Sequence, residues 1–135
     1  MHISEKESEA IELIYVEAES FPEGIRAAWD KLEADLKEKT GRKFFGISKC
    51  VDQKMLYYAA MNKFPGDENL FPEFNTYKLA GGKWACTKIR DWMQHIPEIG
   101  PTFRELEKGR AIDPDRPYVE SYRSYDELQL WVPVL

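Results

Sequence analysis

Two stretches of the chain answer each other. Phe21-Pro22-Glu23 precedes Trp29-x-x-Leu32, and Ile96-Pro97-Glu98 precedes Phe103-x-x-Leu106. The Pro-Glu pairs stand 75 residues apart and the aromatic positions 74, a one-residue drift. Each stretch sits in the same setting. Residues 11–16 read as a strand from their β-branched and aromatic content. After the first stretch, residues 44–51 and 55–61 read as two strands of a hairpin joined through Asp52-Gln53-Lys54. The second half opens with residues 75–79, a Gly81-Gly82 turn or bulge and a strand through 84–89. It closes with a hairpin of 118–122 and 128–132. Strand, helix, strand, strand, twice over in 135 residues, is the pattern of an α+β domain, here one domain over residues 1–135. Each half alone has too little apolar surface to be stable. The duplicated β-α-β-β halves are therefore expected to join edge to edge into one curved antiparallel sheet. Two helices should pack on it, with a ligand cleft at the pseudo-two-fold axis.

Local signals refine this. Ser20-Phe21-Pro22-Glu23 has the S-x-x-E form of a capping box and predicts a helix start. Ile25, Ala28, Trp29, Leu32 and Leu36 then fall on one helical face, Glu33/Lys37 and Asp35/Lys39 pair at i,i+4 on the other, and Gly41 suits the C′ position. Pro101 should kink the second helix or mark its start. The polar residues 1–9 are expected to fray, and residues 64–72 to form a surface loop at the midpoint.

Charge and composition exclude several functions. The net charge of −5 argues against a sequence-independent phosphate binder, so no nucleic-acid partner is expected. The acidity belongs to residues 1–40, with 11 acidic and 5 basic side chains. No apolar run approaches a membrane span, and the first seven residues lack a secretory signal, so a cytoplasmic location is expected. Cys50 and Cys86 lie far apart in apolar segments and read as buried packing thiols. Neither they nor His2 and His95 have metal-ligand spacing. No metal or cofactor is expected.

Several pieces in order carry a resemblance: Ala28-Trp29-x-x-Leu32, Lys43-Phe44-Phe45-Gly46-Ile47, Tyr57-Tyr58, Ala80-Gly81-Gly82-Lys83-Trp84-Ala85, Val119-Glu120-Ser121-Tyr122, and residues 127–134. Together they resemble the gyrase inhibitory protein-like (GyrI-like) domains, also called bacterial effector-binding domains, which occur alone and in AraC-type and MerR-type regulators. The chain departs from them in carrying Trp84 where Tyr or Phe is usual, and in the Gly100-Pro101 interruption. The resemblance implies a cleft for hydrophobic, aromatic or cationic small molecules, with Glu120 as the buried counter-charge.

The residues agree in part. Tyr118, Glu120 and Tyr122 share a strand face by period two. If the last hairpin turns near Ser124-Tyr125-Asp126, Glu120 lies opposite Leu130, beside Leu128 and Val132. A carboxylate so placed loses hydration and attracts a cation. Trp84, Tyr58 and Trp131 are the expected aromatic walls, with Trp29 behind them. Without the resemblance, a glutamate between tyrosines is more often solvated or tyrosine-bonded than a ligand anchor. Lys49, Lys78, Lys83 and Lys88 read as solvated strand residues.

Two alternatives stand beside the binder. One is a hydrolase of cyclopropane-containing alkylating compounds, with Glu120 as general base and Tyr58 or Tyr122 as proton donor. The other is an interaction module for gyrase or a regulator, as monomer or homodimer. The chain offers no room for a helix-turn-helix before Ile11, so a regulatory role is expected to need a partner.

Overall fold

The computed structural model describes residues 1–37 and 39–135. The chain runs β1 (Ser4–Ser8), β2 (Ile11–Glu17), α1 (Ile25–Glu33), β3 (Phe44–Val51), β4 (Lys54–Asn62) and a short α2 (Asp67–Leu70). It continues through β5 (Asn75–Leu79), β6 (Gly82–Arg90), α3 (Ile99–Glu107), β7 (Tyr118–Tyr122) and β8 (Glu127–Val134). All neighbouring strands are antiparallel in one sheet of order β1-β6-β8-β7-β3-β4-β2-β5. The duplication is visible in that order. β3-β4-β2 of the first half mirrors β7-β8-β6 of the second, and the halves join at β3 and β7.

The outermost strands are exchanged between halves. β1 pairs with β6, and β5 pairs with β2. Each edge strand then turns a corner into the opposite half, and the corners touch at Gly81, where a Cβ would meet the Ser8 carbonyl oxygen at 2.5 Å and the Ala10 nitrogen at 2.9 Å. The sheet curls in consequence. Residues 1–9 are therefore not frayed: Ser4–Ser8 is an edge strand, and Ser8 Oγ accepts a 2.7 Å bond from Trp84 Nε1.

Leu13, Ile47, Tyr58, Trp84, Val119 and Trp131 pack inside the curl. On the outer face α1 sets Ala28 and Leu32 against Ile14, Tyr57, Ala59 and Met61, while α3 sets Leu106 against Ala85, Leu128, Leu130 and Val132. Leu32 and Leu106, the echoed leucines of the sequence, are both fully buried, each contributing roughly 1.5 to 3 kcal/mol by leaving water.

Some boundaries differ from expectation. α1 starts at Ile25, not after Ser20: residues 21–24 form a turn, in which the amides of Gly24 and Ile25 bond the carbonyls of Ser20 and Pro22, and no side chain caps the helix. The helix ends at Glu33, so Leu36, Asp35/Lys39 and Gly41 lie beyond it; Gly41 does adopt positive φ, at 79°. Pro101 neither kinks α3 nor starts it. It sits third, within the first turn, where its missing N–H leaves no intrahelical bond unmade. The midpoint segment holds the four-residue α2. Cys86 is buried as expected, whereas Cys50 is exposed near the β3–β4 turn.

Candidate functional site

Registers across the central seam bring one constellation together. Gly46 on β3 faces Glu120 on β7, and Glu120 faces Leu130 on β8, the pairing the last hairpin predicts. On β4, Ala59 faces Gly46, so Tyr57 projects to the same side as Glu120 by the two-residue period. Glu120 is only 8% exposed. Its Oε1 accepts hydrogen bonds from the Tyr57 hydroxyl at 2.8 Å and the Tyr122 hydroxyl at 2.7 Å, and Trp29 Nε1 on α1 donates to the Tyr57 oxygen at 3.0 Å. Oε2 accepts none among the described residues.

Gly46 is what makes room. A Cβ there would overlap both Glu120 Oε1 and the Tyr57 hydroxyl, and would stand 2.9 Å from the Tyr57 ring. Across the pseudo-two-fold, glycine on one central strand yields its space to glutamate on the other.

Electrostatically the carboxylate is unpaired. No Lys, Arg or His forms an ion pair with Glu120 among the described residues. Burial pushes its carboxyl above the usual carboxylate range, resisted by the hydroxyls of Tyr122 and Tyr57. Burial, and then the Glu120 charge, hold both phenols well above their ordinary value, so they remain neutral donors. A buried negative charge with hydrogen bonds but no cation is the condition in which an external cation gains most.

Aromatic rings close over this group. Trp29 meets Tyr122 edge-on at 5.4 Å and Phe44 at 6.3 Å. Trp92, in the turn before α3, meets Tyr122 at 5.0 Å. Phe103 of α3 approaches Tyr118 at 5.4 Å, the counterpart of the Trp29–Phe44 contact in the other half. Trp29, Tyr122 and Trp92 thus form a continuous run of ring contacts from α1 to the turn before α3.

The expected residues divide between the two faces of the sheet. Glu120, Tyr122 and Trp29 come together, and Tyr118 shares their face, its phenol pushed up to about 12 by burial and the nearby Glu107. Tyr58, Trp84 and Trp131 lie on the opposite face, inside the curl, and do not wall Glu120. Tyr58 therefore cannot pass a proton to a molecule held at Glu120. Trp131 is adjacent to Leu130 on β8, so the hairpin register that sets Leu130 opposite Glu120 already turns it away. Tyr57 is the residue that sequence reasoning missed, and the length of the β3–β4 turn decides which of the two adjacent tyrosines faces Glu120. A three-residue turn at 52–54 would place Gly46 opposite Ala60 and bring Tyr58 to the Glu120 side. The actual turn is Asp52-Gln53 alone, both at positive φ (52° and 66°), and the one-residue slip reverses the choice.

Tyr57→Phe removes one donor to Glu120 and the acceptor of Trp29. The expected results are a further rise in the Glu120 pKa, read by carboxyl NMR, and a stability loss of about 1 to 3 kcal/mol in urea at neutral pH that shrinks where Glu120 is protonated. An unchanged carboxyl titration would remove Tyr57 from the site.

No protein-family model and no curated protein sequence matches the chain. Solved structures match it in fold. An integron cassette protein from the mobile metagenome of Vibrio cholerae superposes with a TM-score of 0.78 at 14% identity, over 98% of this chain and 95% of that one. The protein SAV2435, solved bound to tetraphenylphosphonium, gives 0.71 at 12% identity over 100% and 94%. A Staphylococcus aureus protein described as a bacterial transcription regulation protein gives 0.64 at 13% identity over 99% and 98%. At these identities the likeness establishes the fold.

Proposed function

We propose that the protein is a GyrI-like small-molecule-binding protein that takes up hydrophobic cations at Glu120, between α1 and α3. One observation carries the reading: a buried carboxylate held by two neutral phenols, with no cationic partner among the described residues. SAV2435, similar in fold, was solved with a lipophilic cation, which supports the choice of ligand class. In this reading Trp29 and Tyr122 part to admit the ligand. Their faces then contribute about 0.5 to 2 kcal/mol per cation–π contact, while Glu120 supplies the opposite charge.

The pH dependence follows from the raised carboxyl pKa. The folded protein holds the Glu120 proton to higher pH than the unfolded chain, so this group makes folding less favourable as pH rises from the ordinary carboxyl value through the folded one. Cation binding runs the other way and strengthens over the same rise, because only the charged form attracts the ligand.

Tryptophan fluorescence titrated with tetraphenylphosphonium tests the reading. Quenching through Trp29 should be saturable, and Glu120→Gln should weaken the affinity at least about tenfold while thermal unfolding stays cooperative. Equal affinity in the folded variant would take Glu120 out of the site.

A further inference from the structure

A different face of the sheet bears the opposite charge. Along β1 the side chains alternate: Glu5 and Glu7 point outward, whereas Ser4 and Lys6 point to the concave side, where Ser4 faces Cys86 and Lys6 faces Trp84 across the β1–β6 ladder. A cavity of about 300 Å³ opens there, and Ser4, Lys6, Cys86, Lys88, Arg123 and Gln129 are among its lining. No carboxylate among the described residues lines it.

Three formal positive charges thus share one hollow in a chain whose net charge is −5. Lys6 is half-buried, its ammonium 3.8 Å from the Trp131 ring centroid. Burial lowers its pKa. The one opposing influence, the Cys86 thiol, is itself pushed up to about 11 by burial and so carries no charge at neutral pH, while Arg123 and Lys43 add like-charge repulsion. Glu127, on the concave side of β8, is already paired with Arg90 at 3.1 Å. Arg123 Nη2 reaches Gln129 Oε1 at 3.4 Å, and Trp131 Nε1 donates to the same oxygen at 3.1 Å, so the amide oxygen is engaged. The donors among the lining are a guanidinium, two ammonium groups and a serine hydroxyl, beside the His2 imidazole and a Thr87 hydroxyl that already donates to the His2 carbonyl.

We infer that this concave cavity is a second binding site, for a compact oxyanion of about two negative charges, either a phosphate monoester or a small dicarboxylate. The Arg123 fork suits two oxygens of either group, and the lysines supply point charges around it. The volume sets the size of the ligand, since small-molecule pockets run from roughly 300 to 1,000 Å³ and this one lies at the lower bound. The site is separate from Glu120, which lies across the sheet, and attracts ligands of the other sign.

Amide NMR titrations with inorganic phosphate and with succinate, at fixed ionic strength set by chloride, test the proposal. The expected result is saturable shifts at Ser4, Cys86 and Gln129 with at least one of the two anions, and the tighter of them identifies the headgroup. The affinity should fall at least about tenfold in Lys88→Gln/Arg123→Gln, whose side chains are exposed and leave the fold intact, and should be unchanged in Glu120→Gln. Absence of saturable shifts with both anions, or equal affinity in the double variant, would overturn it. Neither outcome bears on cation binding at Glu120.

Discussion

Asp67→Ala should cost about 3 to 5 kcal/mol of folding stability, because it leaves a buried guanidinium without its counter-charge. Arg42 and Asp67 form a two-pronged pair with both bonds at 2.7 Å, and their side chains are 5% and 1% exposed. Asp67 also accepts the Phe64 amide at 2.7 Å, and Arg42 stacks over the Phe64 ring at 4.1 Å. The pair thereby ties the segment linking the two halves to the start of β3. A loss of this size removes a large share of the stability of an ordinary domain and should lower the melting temperature by roughly 10 to 20 °C. The acid limb adds a second readout. The Arg42 hydrogen bonds, against burial, hold the Asp67 carboxyl below the usual range. Its contribution is therefore present above the ordinary carboxyl pKa and is lost as pH falls through the lower folded value. Wild type and variant should converge in strongly acidic solution. A change below about 1 kcal/mol at neutral pH, the level of an exposed ion pair, would contradict the role given to this pair.

Gly46→Ala should damage stability and binding together. The added Cβ falls on Glu120 Oε1 and the Tyr57 hydroxyl. Tyr57 yields only at the expense of its packing against α1 and its bond from Trp29, since its ring is buried and its oxygen accepts the indole N–H. Both side chains must shift, which disrupts the bond between them. Overpacking of this kind costs about 1 to 3 kcal/mol, and tetraphenylphosphonium affinity should fall more than about tenfold as the carboxylate is displaced. Asp67→Ala, where it remains folded, should keep that affinity. Binding of wild-type strength in Gly46→Ala would mean that the glycine makes no room for the site.

Sequence reasoning reached the architecture through repetition. The paired Trp29-x-x-Leu32 and Phe103-x-x-Leu106 segments became α1 and α3, and the last hairpin set Glu120 against Leu130. What it missed depends on register or distance. Asp52-Gln53 lacks the glycine that signals a two-residue turn, so the sequence reads as a connection through 52–54, and that one residue decides which of Tyr57 and Tyr58 faces Glu120. Arg42 and Asp67 are 25 residues apart in segments that read as polar turns, and only packing reveals them as a buried pair. β1 carries too few apolar residues to announce itself. It is held by the β6 ladder and by side-chain bonds such as Trp84 to Ser8.

The most direct measurement is the carboxyl NMR titration of Glu120 with and without tetraphenylphosphonium. The free protein should show a pKa above the ordinary glutamate value, and saturation with the cation should pull it down, since a ligand that prefers the charged form must lower the pKa by linkage. A Glu120 pKa that the bound cation leaves unmoved would contradict the claim that this carboxylate is the counter-charge.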